Sequence, residues 1–155
     1  MGTVAVLNIR PATVADAGLI LHFIRELAIY EKAGHAVQTD EQGIAESLFS
    51  ADATARALIC EAGGEAIGYA VYFYNYSTWL GRKGIYLEDL YVSPEKRGAG
   101  AGKALLKYIA RQAVAEGCGR FEWSVIDWNE PAINFYKKYP NVHIDKGWLN
   151  CSINF

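Results

Sequence analysis

The spacing of apolar positions changes several times along the chain, and each change marks an element. Residues 4–9 read as a strand, which Arg10-Pro11 ends. Thr13, with Asp16 three residues on, starts a helix. Its Leu19, Phe23, Leu27 and Tyr30 recur at close to the helical period. Thr39 caps a shorter helix ending near Phe49. The period then shortens. Residues 57–61 form a strand, Gly63-Gly64 a turn, and residues 66–76 a longer strand rich in aromatic and β-branched side chains. Gly84 precedes a strand over residues 85–92, which Ser93-Pro94 stops. A glycine-rich loop leads into a helix over residues 100–116, ended by Gly117 and Gly119. Residues 121–127 are a strand, and a helix starts near Glu130-Pro131, where Pro suits the first turn. Residues 148–155 alternate enough for a final strand. The order β-α-α-β-β-β-α-β-α-β is that of an α/β or α+β sheet with helices on its faces.

No repeat, linker or low-complexity stretch divides the 155 residues, so residues 1–155 are expected to form a single domain. An apolar content of 52% against 21% charged is that of a globular chain. A net charge of −2 argues against a nucleic-acid coat protein. No apolar run is long enough for a membrane span, and the N-terminus lacks a signal-peptide pattern. Cys60, Cys118 and Cys151 form neither a disulfide framework nor a C-x-x-C pair, so a reduced, cytoplasmic setting is expected. His22 and His35 have no partner at a telling spacing, and no metal site is expected.

The stretch from Tyr91 to Lys103 changes this picture most. It runs strand, glycine-rich loop, helix start. Gly98, Gly100 and Gly102 allow backbone N–H groups to turn inward, the helix start adds free donors, and Arg97 and Lys103 add charge. Residues 93–111 hold five basic side chains and one acidic, in a chain that is acidic overall. This is a seat for a phosphate-bearing ligand. A P-loop would need G-x-x-x-x-G-K-S/T, and Ala104 follows Lys103. A dinucleotide fingerprint begun at Gly98 would put its third glycine where Lys103 stands. Lys107 and Arg111 read as a solvated helix face.

With these residues in view, the chain resembles the GCN5-related N-acetyltransferase (GNAT) superfamily. The superfamily's coenzyme signature, Gln/Arg-x-x-Gly-x-Gly/Ala, is matched by Arg97, Gly100 and Gly102, after the strand Leu90-Tyr91-Val92. A second signature follows at Trp128-Asn129-Glu130-Pro131-Ala132-Ile133-Asn134-Phe135-Tyr136. Ile9-Arg10-Pro11-Ala12-Thr13, Glu26-Leu27-Ala28-Ile29-Tyr30-Glu31 and Tyr86-Leu87-Glu88-Asp89 resemble the diamine (spermidine/spermine) acetyltransferase branch. The family usually continues F-Y-x-x-x-G-A, whereas Lys137-Lys138-Tyr139-Pro140-Asn141 follows Tyr136 here. The resemblance implies one GNAT-type domain: a mixed, mostly antiparallel central sheet flanked by about four helices. It implies acetyl-coenzyme A as co-substrate and no metal.

Acetyl transfer to an amine needs a neutral nucleophile, donors for the thioester oxygen, and a proton for the leaving thiolate. An alkyl amine with a pKa of about 10.4 is less than about 0.1% neutral at pH 7. The resemblance makes Glu88 the base and Tyr136 the acid that protonates the thiolate. It assigns the coenzyme to Leu90, Tyr91 and Val92, to Arg97, Gly98, Ala99, Gly100, Ala101, Gly102 and Lys103, and to Asn129, Glu130, Pro131 and Ala132. It assigns the acceptor to Tyr30, Glu31, Glu88 and Asp89, with Glu122, Trp123 and Ser124 at matching positions. Trp79 is expected to wall the acceptor tunnel or offer a cation–π face.

Residues 1–50 hold three basic and six acidic side chains, so an acidic half faces a phosphate-binding half. That suits a cationic acceptor, a diamine, polyamine or lysine-like amine, attacking directly in a ternary complex. A non-catalytic acyl-coenzyme A-binding or sensing module on the same fold is the alternative. A nucleotide-dependent oxidoreductase is disfavoured by the glycine pattern. The strand aromatics Tyr69, Tyr72, Phe73, Tyr74, Tyr76 and Trp79 exceed what one small core covers, and the diamine branch is dimeric, so a homodimer is expected.

Overall fold

The computed structural model describes residues 6–155. It falls into two compact units, residues 6–124 and 125–155.

The first unit is built on β1 (Leu7–Pro11), β2 (Ala55–Ala62), β3 (Glu65–Ser77), β4 (Arg82–Val92) and β5 (Phe121–Trp123). These form one sheet in chain order, antiparallel from β1 to β4, with β5 parallel to β4. Gly63 and Gly64 close the β2–β3 hairpin with φ of 59° and 81°, a two-residue turn whose twist matches the strands. Gly84 lies inside β4 rather than before it. The expected first strand begins at Val4; Val4 and Ala5 lie outside the described residues.

Helix α1 (Ala17–Tyr30) follows a short 3-10 turn over Val14–Asp16. The Thr13 N–H donates to the Asp16 carboxylate over 2.8 Å, and Thr13, expected to cap the helix, caps this turn instead, the N-cap of α1 being Asp16. Asp16 also takes both Arg10 amino groups, at 2.8 and 2.9 Å, while Arg10 Nε reaches Glu61 at 2.9 Å. One guanidinium thus ties β1, β2 and the helix start together, and it holds the Asp16 carboxyl down at about 2. The buried stripe of α1 is Ala17, Ile20, Leu21 and Phe23, with Leu19 and Leu27 only partly buried beside it. The apolar run at 19–21 leaves the phase of the helix open by one position, and packing selects Ile20. Helix α2 (Glu41–Leu48) is capped by Asp40, whose Oδ1 accepts from the Gly43 N–H at 2.7 Å, not by Thr39.

Ile59, Ala57, Tyr69 and Tyr91 form one core with α1 and α2. Leu58 and Cys60 alternate to the opposite sheet face. Helix α3 (Ala101–Ala115) packs on β1 to β4 through Ala101, Leu105, Leu106, Ile109 and Ala113. Lys107 and Arg111 are exposed. Tyr69 and Tyr72 are core residues, so the sheet absorbs part of the aromatic excess read from sequence. Tyr76 and Trp79, at 62% and 93% exposure, sit at the β3–β4 hairpin.

The second unit holds α4 (Glu130–Lys137). Asn129 caps it, accepting from the Ala132 N–H at 3.3 Å, and Pro131 lies in its first turn. Residues 148–155 form no strand. Asp145 turns the chain there, accepting from the Gly147 N–H and the Trp148 indole, both at 2.8 Å. Trp148, Leu149, Ile153 and Phe155 are exposed. Among the described residues no helix is long and apolar enough to cross a membrane.

Candidate active site

Strand β4 carries an extra residue. Val71 lies opposite Asp89 and Tyr72 opposite Leu87, leaving Glu88 as a bulge. On the other side, the ladder to β5 ends at Leu87 opposite Trp123. Beyond it Leu90, Tyr91 and Val92 still pair with Ala70, Tyr69 and Gly68 of β3, but have no strand partner on the β5 side. An open sheet edge presents backbone N–H and C=O groups to whatever lies against it. The bulge and the open edge are five residues of one strand.

Glu31, Glu88 and Asp89 gather at the bulge. All three carboxyls sit above their ordinary range, first through burial and then through one another's charge: Asp89 and Glu88 act on Glu31, and Asp89 on Glu88. Burial also raises Asp89, and a 2.7 Å hydrogen bond from the Tyr69 hydroxyl partly offsets it. Tyr69 is fully buried and stacked on Phe23, so Asp89 rests on a rigid base. Glu31 is the C-terminal cap of α1, at the negative end of the helix dipole. Lys32 next to it takes a left-handed backbone with φ of 61°. Three carboxylates and a helix C-terminus can hold a cation. Tyr69 was not legible as a site residue, because a strand tyrosine in the core carries no sequence mark of its hydroxyl's partner.

Ser93 donates its N–H to Ile67 O, and a 3-10 turn over Pro94–Lys96 leads into the loop. Gly98 and Gly100 have φ of 87° and 88°, where side-chained residues are strained. A Cβ built on either meets nothing within 4 Å, so the loop is open. Gly100 caps α3, and the Ala104 N–H is the one that returns to Gly100 O. The N–H groups of Ala101, Gly102 and Lys103 precede that bond and head the helix. With exposed Ala99 and Lys103 beside it, such an arrangement can hold a phosphate. Arg97 points elsewhere. Its Nε donates to Val92 O at 2.9 Å, and its guanidinium lies 5.2 Å from the Tyr30 ring and 5.5 Å from the Tyr91 ring.

Other expected acceptor residues are already engaged. Glu122 is paired with Arg120 at 2.8 Å, and Ser124 Oγ lies 2.6 Å from the Tyr86 hydroxyl. Trp123 ends β5 and stacks obliquely on Phe121 at 5.0 Å. Glu26, on the acidic stretch of α1, accepts from the Tyr91 hydroxyl at 2.6 Å and meets His22 Nε2 at 3.0 Å. His22 therefore has a partner after all, one helical turn away. Trp79 is exposed on the hairpin.

In the second unit, Asn129 is buried and Glu130 and Pro131 are exposed at the head of α4, with Ala132 half-buried. Tyr136 is buried and meets Phe135 edge to face at 5.5 Å. Among the described residues no cluster of His, Cys, Asp and Glu is placed to hold a metal ion.

The sequence model of the Acetyltransferase (GNAT) family matches residues 23–139. A thialysine N-epsilon-acetyltransferase of Mus musculus is 39% identical over 153 residues, covering 92% of this chain and 89% of that protein. An L-ornithine N5-acetyltransferase of Arabidopsis thaliana is 28% identical over 191 residues, covering 94% of this chain and 83% of that protein. A solved integron cassette protein of V. cholerae shares the fold, with a TM-score of 0.79 at 22% identity over 99% of this chain and 94% of that one.

Proposed function

The chain belongs to the acetyltransferase (GNAT) family, whose members use acetyl-coenzyme A as co-substrate, and we propose that it acetylates a primary amine of a small acceptor carrying a second positive charge. Diamines, polyamines and lysine-like amines are that class. The observation that carries this reading is the gathering of Glu31, Glu88 and Asp89 at the β4 bulge, beside the open edge of the same strand. The names of the thialysine and ornithine acetyltransferase relatives point to acceptors of this kind.

The chemistry follows from the placement. Glu31 and Asp89 hold the distal ammonium. Glu88 takes the proton of the reacting amine, directly or through water, and its raised pKa brings its basicity closer to neutral pH. Backbone donors of Leu90, Tyr91 and Val92 meet the thioester oxygen as it gains charge. The amine nitrogen bonds to the acetyl carbon, the carbon–sulfur bond breaks, and Tyr136 gives its proton to the leaving thiolate. The loop from Arg97 to Lys103 seats the phosphates, and residues 129–132 contact the pantetheine arm. Transfer is direct, in a ternary complex. The chain works as a cytoplasmic homodimer; three unpaired cysteines suit a reducing compartment.

Initial velocities with acetyl-coenzyme A and an amine panel, read as thiol release, test this. Lines that intersect when both substrates are varied support the ternary complex, and parallel lines reject it. Thermal shift with acetyl-coenzyme A, coenzyme A, NAD and ATP separates the classes. Stabilisation by acetyl-coenzyme A with no thiol release for any amine would favour a sensing module.

A further inference from the structure

One face of α1 braces the coenzyme loop. His22, Glu26 and Tyr30 recur four residues apart and so share a helix face. Glu26 receives the Tyr91 hydroxyl at 2.6 Å, which fixes the end of β4 to the helix. Burial and that hydrogen bond push the Tyr91 hydroxyl up to about 12, so it stays a donor. Four residues on, the Tyr30 ring carries the Arg97 guanidinium at 5.2 Å. Arg97 in turn covers the Tyr91 ring at 5.5 Å and bonds Val92 O through Nε. A planar cation held over two aromatic rings, with one N–H committed to a carbonyl, has restricted rotational freedom. Tyr30 is the residue next to Glu31 of the carboxylate cluster, and Arg97 opens the glycine loop.

We propose that Tyr30 and Arg97 are a coupled pair of positioning residues, through which the acceptor-side helix sets the phosphate loop. This rests on the reading of the loop as the coenzyme seat, but not on the identity of the acceptor. Tyr30 is then needed for coenzyme affinity, although its own expected role is on the acceptor side. The dependence runs through the stacked guanidinium rather than through Tyr30 touching phosphate.

The test is calorimetric titration with coenzyme A, which has no acetyl group to transfer and needs no acceptor. Tyr30→Leu removes the ring and is expected to weaken coenzyme A binding by about threefold to tenfold. Tyr30→Phe keeps the ring and is expected to bind as the wild type does. In an Arg97→Ala background, Tyr30→Leu is expected to cost nothing further. Arg97→Lys keeps the charge, loses the planar stack and leaves α1 untouched; it too is expected to bind more weakly. Full affinity in Tyr30→Leu or Arg97→Lys, equal losses in Tyr30→Leu and Tyr30→Phe, or simple addition in the double variant would each overturn the coupling. A wild-type chain that ignores coenzyme A overturns the loop assignment and the brace with it. If coenzyme A binds and the cycle is non-additive while no diamine is acetylated, the acceptor reading fails and the brace stands.

Discussion

Glu31 shows what a single residue costs and supplies. It stands at a helix C-terminus beside two other carboxylates, and the folded chain raises its pKa. A raised carboxyl binds its proton more tightly in the folded state, so its contribution to stability is full below the ordinary carboxylate pKa. It is lost as pH rises through the shifted value. Glu31→Gln is therefore expected to melt about 1–3 °C higher than the wild type at pH 7, with the difference closing below about pH 4. Melting curves across that range check it, and a destabilised Glu31→Gln at neutral pH would contradict the repulsion. With Glu88 as the proposed base, its raised pKa is expected to place the acidic limb of a kcat/KM–pH profile above the ordinary carboxylate range, and a limb at or below that range would contradict the role. Tyr136 is the other residue to probe. Tyr136→Phe keeps the buried ring and is expected to fold, bind acetyl-coenzyme A, and lose roughly 10²–10⁴ in turnover. An unchanged kcat with chemistry rate-limiting would remove the proton-donor role.

Among the elements, β4 carries most of the site. Its type was legible, and its end at Val92 from Ser93-Pro94, but its start was not: Gly84 reads as preceding the strand, which begins at Arg82. The bulge at Glu88 was not legible, because it depends on which β3 residue each β4 residue faces. The open edge was not legible in the spacing either, since residues 121–127 read as one strand while pairing with β4 lasts only to Trp123; the family resemblance alone implied free backbone groups there. Local chemistry placed a turn at Thr13 and Asp16, but the helix itself begins three residues later than Thr13 implied. The same chemistry failed by one residue at Thr39, because a neighbouring Asp offers the stronger acceptor. The last expected strand, over residues 148–155, does not form. One close approach makes a sharp element-scale prediction. A Cβ on Gly68 would lie 2.6 Å from Tyr91 O, a backbone atom that cannot swing aside. Gly68→Ala is expected to cost about 1–3 kcal/mol in denaturant unfolding and to weaken acetyl-coenzyme A binding by shifting the end of β4. Wild-type stability and affinity would show that the β3–β4 approach is looser than this.

At the scale of the whole molecule, the charge layout read from sequence matches the first unit. Its acidic N-terminal stretch delivers Glu31 to the bulge, and its basic stretch holds the glycine loop. Exposed Tyr76, Trp79 and Leu80 remain at the β3–β4 hairpin after the core has taken Tyr69 and Tyr72. A homodimer that covers part of this surface is the expected state. Light scattering at micromolar concentration checks it, and a monomeric mass contradicts it.

The central claim is that a cation site beside the reacting amine selects the acceptor. Its most direct measurement is kcat/KM for a diamine against a mono-amine of equal length, at saturating acetyl-coenzyme A. Charge-assisted contacts of this kind are worth on the order of 1–3 kcal/mol, so the diamine is expected to lead by roughly 10- to 100-fold. Glu31→Gln is expected to shrink that lead, and added salt to erode it further. Equal turnover of the two amines, or of an acceptor bearing one amine and a free carboxylate, would contradict the account and leave only the general acetyltransferase assignment.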